Sequence, residues 1–262
     1  MSNVFVIRAD SAAKKLADAA AAEKEPRLAY ASMVSTSTIV ASHDFKNTGY
    51  LYDGMTTLKW RPANSTPTLT FTGTFSNTDY VGIAGVNWAT AGCVATVKDS
   101  GGNILGTVSG LRDNQSALFI FAKATYTSIL IEFTCTNTLL EVGEVYLGES
   151  LAFPRNVSVG YKPGRWHSND LITNGRTEAN QFSGSVVRAR GTTESFSINN
   201  VPVSFMEFDY KNFVINARGL PVFFLWNKNN IGHAIFGSWT ATAPTFTSSF
   251  LSSINITING AV

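Results

Sequence analysis

The sequence predicts an all-β protein with one or two helices, in which a jelly-roll-like β-sandwich precedes a small β-barrel or sheet domain with one flanking helix. Three observations carry this. Apolar and polar residues alternate over short runs, as in Leu69-Thr70-Phe71-Thr72-Gly73-Thr74-Phe75, which is the period of a half-buried strand. Turn residues such as Asp99-Ser100-Gly101-Gly102-Asn103 separate those runs at short intervals. One amphipathic helical pattern, from Ser204 to Gly219, stands among the strands of the second half.

The 262 residues allow one large domain or two ordinary ones. The stretch Gly143-Glu144-Val145-Tyr146-Leu147-Gly148 reads as the last strand of a first domain, and Pro154-Arg155-Asn156 as the connector to a second; the alternative is a hairpin inside one large sheet. The expected division is an N-terminal arm or helix over 1–28, a sandwich over 29–150 and an assembly domain over 151–262. A charged fraction of 15% is low for a soluble domain. Threonine, serine, asparagine and glycine take the polar positions instead. A net charge of +2 without a Lys/Arg cluster argues against nucleic-acid readout, and no apolar run is long enough to insert in a membrane. Met1 to Ile7 has no basic leader and is not expected to be a secretory signal. Cys93 and Cys135 are therefore expected as buried free thiols, with a disulfide as the alternative.

Taken in order, Ser11 to Glu25 is rich in alanine, which favours helix, and Pro26 stops it. Strands are expected at Leu69–Phe75, then, after a turn over Asn77–Asp79, at Val81–Val86. Val94–Val97, Ile104–Val108, Leu118–Ala122 and Ile129–Phe133 follow. The second half offers strands at Gly184–Ala189 and Ser195–Ile198. Ser204 and Glu207 have the spacing of a capping box, and Met206, Tyr210, Phe213, Val214 and Ala217 make one apolar face. Gly219 and Pro221 end that helix. Strands at Val222–Trp226, His233–Trp239 and Ile254–Asn259 close the chain. The run Val222 to Trp226 is apolar on both sides, so one side is expected to need another subunit.

Asp53-Gly54, Thr57 and Trp60, followed by strands of this kind, resemble the opening of discoidin-like, galactose-binding-like jelly rolls. The resemblance covers about residues 35–150 and implies a sandwich whose end loops bind sugars or lipids. Trp60 is expected to pack under the Asp53-Gly54 turn, with a sugar platform as the alternative. The candidate glycan contacts are Tyr50, Tyr52, Trp60 and Trp88. A second resemblance rests on Gly143 to Gly148, Pro154-Arg155-Asn156, Arg218-Gly219-Leu220-Pro221, Phe223-Phe224-Leu225-Trp226-Asn227 and the terminal strand. These look like tail-tip proteins of long-tailed bacteriophages, although the sandwich here precedes the ring-forming part. The resemblance implies a structural virion protein of the tail tip or baseplate, assembled in the host bacterial cytoplasm. Its partners would be other tail proteins and further copies of itself in a ring. Trp166, Phe223 and Trp226 are the candidate assembly contacts. A carbohydrate-binding module or adhesin for host-surface glycans is the alternative function.

Catalysis is not expected. No nucleophile elbow or phosphate loop is present, and His43, His167 and His233 lack the spacing of a zinc site. Glu141, Glu144 and Glu149 cluster at a strand edge. No cofactor or metal is expected.

Overall fold

Threonines on one side and Leu69, Phe71 and Phe75 on the other make the start of the first sheet a half-buried ladder. The computed structural model describes residues 25–261, apart from 31–32, 35–36, 43–47, 138, 164–170, 177, 179–180 and 190. The N-terminal helix expected over Ser11 to Glu25 falls outside the described residues except for Glu25, as do Trp166, His167 and His43.

The strands are β1 (Arg27–Ala29), β2 (Thr38–Ala41), β3 (Thr68–Ala84), β4 (Cys93–Asp99), β5 (Ile104–Val108), β6 (Ala117–Cys135), β7 (Glu144–Gly148) and β8 (Ser150–Ala152). Then come β9 (Leu171–Arg176), β10 (Phe182–Ala189), β11 (Gly191–Pro202), β12 (Val222–Leu225), β13 (Ile235–Ala241), β14 (Thr245–Phe246) and β15 (Leu251–Ala261). A short helix α1 covers Trp88–Ala91, and a longer helix α2 runs from Val203 to Asn216. The first sheet has the order β2-β3-β6-β4-β5, with β7 also on β3. The second has the order β11-β15-β13-β12-β1-β8, with β14 on β15. All their pairings are antiparallel. β9 and β10 form a separate hairpin.

Several expectations are corrected by this arrangement. The turn expected over Asn77–Asp79 is absorbed into one continuous strand, β3. Asn77 takes a left-handed conformation (φ 55°), and the β3–β6 register shifts on either side of it, so the strand bends rather than stops. Two expected strands likewise merge into β6. Cys93 and Cys135 are not free thiols. They face each other in the β4–β6 register and are joined as a disulfide, with Cα atoms 4.0 Å apart. The capping box does not form. Pro202 still pairs with Leu251, and the Val203 amide donates to the Phe250 carbonyl (3.0 Å), so α2 starts at the strand's end and Ser204 lies inside it. The segment Met206–Tyr210 is a π-helical turn. The expected apolar face is present: Met206, Tyr210, Phe213 and Ala217 are buried against the second sheet.

The N-terminal arm also turns out to contribute structure. β1 lies between β12 and β8, so residues just after Pro26 supply an inner strand of the second sheet. A single residue, Glu149, separates β7 in the first sheet from β8 in the second. The chain thus steps from one sheet to the other without a linker.

Three apolar layers result. The first sheet encloses a core that includes Trp60, Phe71, Phe75, Trp88, Phe119 and Phe133. The second sheet and α2 enclose another, with Phe196 stacked on Phe224 at 3.9 Å. Between the sheets lies a seam of Tyr80, Ala84, Leu118 and Tyr146 on one side and Ala29, Phe223, Leu225 and Phe236 on the other. Alternation along β12 explains it: Val222 and Phe224 face α2, whereas Phe223 and Leu225 face the first sheet. The expected need for a second subunit over this strand is therefore corrected; the chain's own first sheet covers it. Gly82 permits the close approach, because a Cβ there would lie 2.7 Å from the Phe223 ring.

Candidate functional site

The seam carries two buried acids at opposite ends of β7. Asp79 is held by its surroundings. Its Oδ1 accepts the Ser150 amide (2.7 Å), and its Oδ2 accepts the Ser150 hydroxyl (2.9 Å) and Arg27 Nη1 (3.1 Å). Arg27 Nη2 also reaches Glu25 (2.8 Å), and Lys228 lies 3.9 Å from the same carboxylate. Burial pushes the Asp79 carboxyl up, against the pull of Ser150 and Arg27. This network joins β3 to β1 and β8, and so the two sheets to each other.

Glu144 has no such partners. It is fully buried, and among the described residues neither carboxyl oxygen meets a hydrogen-bond donor in bonding geometry. The polar groups acting on it are Asp53 and the amides of Gly54 and Met55. Burial first, then Asp53, pushes its carboxyl up to about 8. Tyr146, on the same strand, is raised as well, by burial and then by Glu144.

The loop over Glu144 is well defined. The Met55 amide donates to Asp53 Oδ1 (2.8 Å), and Gly54 takes a positive φ of 79°, as the turn requires. Thr56 lies on two glycines: a Cβ at Gly143 would be 3.1 Å from Thr56 Cα, and one at Gly85 would be 3.2 Å from Thr56 Cβ.

The outer side of the same loop lines a cleft of about 390 Å³ between the two halves of the molecule. Gly54 and Thr56 form one wall; Leu220, Pro221, Phe236, Ser238, Trp239 and Asn259 lie opposite. Asn259 Oδ1 accepts the Thr193 hydroxyl (3.0 Å), and Trp239 Nε1 donates to the Ala217 carbonyl (3.1 Å), which fixes both side chains. Among the described residues no charged side chain lines the cleft. Its size lies in the range of small-molecule sites.

The sequence-chosen residues are not brought together here. Trp60 and Trp88 are 0% and 1% exposed, tilted against Phe133 at 6.4 and 6.3 Å. Their burial corrects the glycan-contact reading for these two and agrees with Trp60 as core. Tyr50 is half-buried in a 3₁₀ turn, and Tyr52 is 41% exposed. Phe223 is fully buried in the seam, which corrects its reading as an assembly contact, and Trp226 is half-buried against Tyr161 and His233. The three expected clustered glutamates separate. Glu141 pairs with Lys59 (3.2 Å) and Arg61, and Glu149 with Lys123. Among the described residues no three metal-ligating side chains converge. Sequence reasoning missed Thr56, Ser238 and Asn259. It placed Glu144 at an edge, although an acid between Val142 and Val145 was itself a signal.

No family model and no curated protein matches the chain. Among solved structures it is distantly similar to discoidin-like β-sandwich modules. One is the Clostridium perfringens module CpGH89CBM32-5 in complex with GalNAc-beta-1,3-galactose, with 11% identity and a TM-score of 0.37 over 45% of this chain and 99% of that one. Another is chitosan-binding module 1 of a chitosanase/glucanase from Paenibacillus sp. IK-5, with 16% identity and a TM-score of 0.36 over 45% and 98%. A third is the C-terminal domain of a Bacteroides fragilis chitobiase, with 11% identity and a TM-score of 0.35 over 47% and 99%.

Proposed function

We propose that this chain is a non-catalytic binding protein for a neutral glycan, seated in the cleft between its two halves. The observation that carries the reading is the lining of that cleft. Sugars are amphipathic: their C–H faces pack on apolar surface while their hydroxyls need donors and acceptors. Leu220, Pro221 and Phe236 offer the first, and Thr56, Ser238, Asn259 and the Gly54 backbone offer the second. A lining without charge suits a neutral ligand, since a buried anion would go unpaired. The test is calorimetric titration of the intact protein with a panel of neutral mono- and oligosaccharides. Binding should weaken about tenfold in Asn259→Ala, the loss expected for one or two hydrogen bonds. The melting temperature should hold. No binding across the panel, or binding that Asn259→Ala leaves intact, contradicts the reading.

A second reading, a structural component of a phage tail tip, draws support from a different surface. Phe208 and Ile215 on the outer side of α2 are exposed, and so are Phe246 and Phe250, at 61% and 77%. Exposed phenylalanines of this kind favour protein contacts. That reading predicts a large oligomer in solution that Phe250→Ser disperses; a monomer at all concentrations removes it.

A further inference from the structure

We propose that the Asp53–Thr56 loop is a pH-sensitive wall of the cleft, closed over Glu144 while that carboxyl keeps its proton and lifted once the proton is lost. The argument is geometric. One loop does two things: its inner side lies against the buried Glu144, and its outer side lines the cleft through Gly54 and Thr56. Glu144 sits at full burial, and among the described residues no donor is in bonding geometry on either oxygen. A neutral carboxylic acid costs far less at that position than an ionised one. The titratable group that acts on it is Asp53 of the loop, and Glu144 in turn raises Tyr146 of its own strand; neither supplies positive charge. The neighbouring strand presents Ala84 at that register, and the second sheet presents Phe223 and Phe236 to Tyr146.

When the proton leaves to solvent, two carboxylates face each other under a loop held by the Met55 amide on Asp53, by the Leu58 amide on the Met55 carbonyl (3.3 Å) and by packing on Gly85 and Gly143. Water reaches Glu144 most directly if that loop lifts. The burial-driven rise of this acid places the change in the mildly alkaline range. The effect on ligand rests on the glycan-binding reading; the loop motion does not.

Hydrogen exchange of the intact protein at pH 6 and pH 9, corrected for intrinsic rates and run in chelator, tests the idea. Protection of the Gly54, Met55 and Thr56 amides should fall at least tenfold at the higher pH. Glu144→Gln should abolish the difference, and Asp53→Asn, which keeps the turn's hydrogen bond to Met55, should shrink it. Equal loss of protection in wild type and Glu144→Gln, or no loss in wild type, overturns the proposal. A rise in melting temperature on adding calcium at pH 7 that Glu144→Gln lacks also overturns it, because a cation would then stand in for the proton. Because no saccharide enters the experiment, failure here is distinct from failure of the glycan-binding reading.

Discussion

Asp79 and Glu144 bracket the same five-residue strand in the same seam, yet one acid is hydrogen-bonded by donors and the other, among the described residues, has none in bonding geometry. Asp79 takes three hydrogen bonds from Ser150 and Arg27; Glu144 meets only backbone amides outside bonding geometry and a second carboxyl. A buried charge is tolerated when it is paired and costly when it is not. The Asp79 end therefore acts as a fixed joint between the sheets. The Glu144 end is where the seam opens into a cleft, and where a change of protonation has something to move.

The comparison is broken most sharply at its fixed end. Asp79→Ala leaves Arg27 largely buried, with Glu25 as its remaining counter-charge among the described residues, and should cost about 3–5 kcal/mol, as loss of one member of a buried pair does. Denaturant unfolding checks the value; a loss under about 1 kcal/mol would show that the joint contributes little to stability. Next comes the disulfide, which lies in the first core and away from the seam. Its sequence separation of 42 gives about 4 kcal/mol by chain entropy. A reductant, or the double change of Cys93 and Cys135 to alanine, should lower the melting temperature without altering ligand binding. Non-reducing peptide mapping checks the bond itself.

The most gradual expected effect is a slope at the open end, spread over several pH units. Glu144 has a folded value near 8, above its ordinary 4.5, so the native state keeps a proton that the unfolded state has lost. Its contribution is fully present below about 4.5 and is lost as pH rises through about 8. Over that window stability should fall by up to about 1.4 kcal/mol per pH unit relative to Glu144→Gln. Parallel stability–pH curves for the two proteins would remove Glu144 as an unpaired acid.

Local pattern explains how much of this was legible beforehand. Strict alternation marked Leu69 to Phe75 and Ile254 to Asn259 as strands, and the spacing of Met206, Tyr210 and Phe213 marked the face of α2, because a single periodicity decides each. The Asp99–Asn103 turn followed from its own chemistry: Asp99 Oδ1 accepts the amides of Gly101 (2.8 Å) and Asn103 (2.9 Å). What escaped depends on distant pairing. Whether Asn77 ends a strand or bends it is set by the long partner β6, and whether Cys93 meets Cys135 is set by register across β4 and β6. The helix start moved because Pro202 and Val203 are held by Leu251 and Phe250, nearly fifty residues further on. The cleft was illegible for the same reason, since Thr56 and Asn259 come from opposite halves of the chain and neither belongs to a motif.

The central claim is that these two halves build one site, and backbone NMR during a saccharide titration tests it most directly. With a neutral sugar that binds, the account predicts concerted shifts at Gly54 and Thr56 on one wall and at Ser238 and Asn259 on the other, all saturating at one concentration. Shifts confined to Tyr50, Tyr52 or any surface outside the cleft would contradict it.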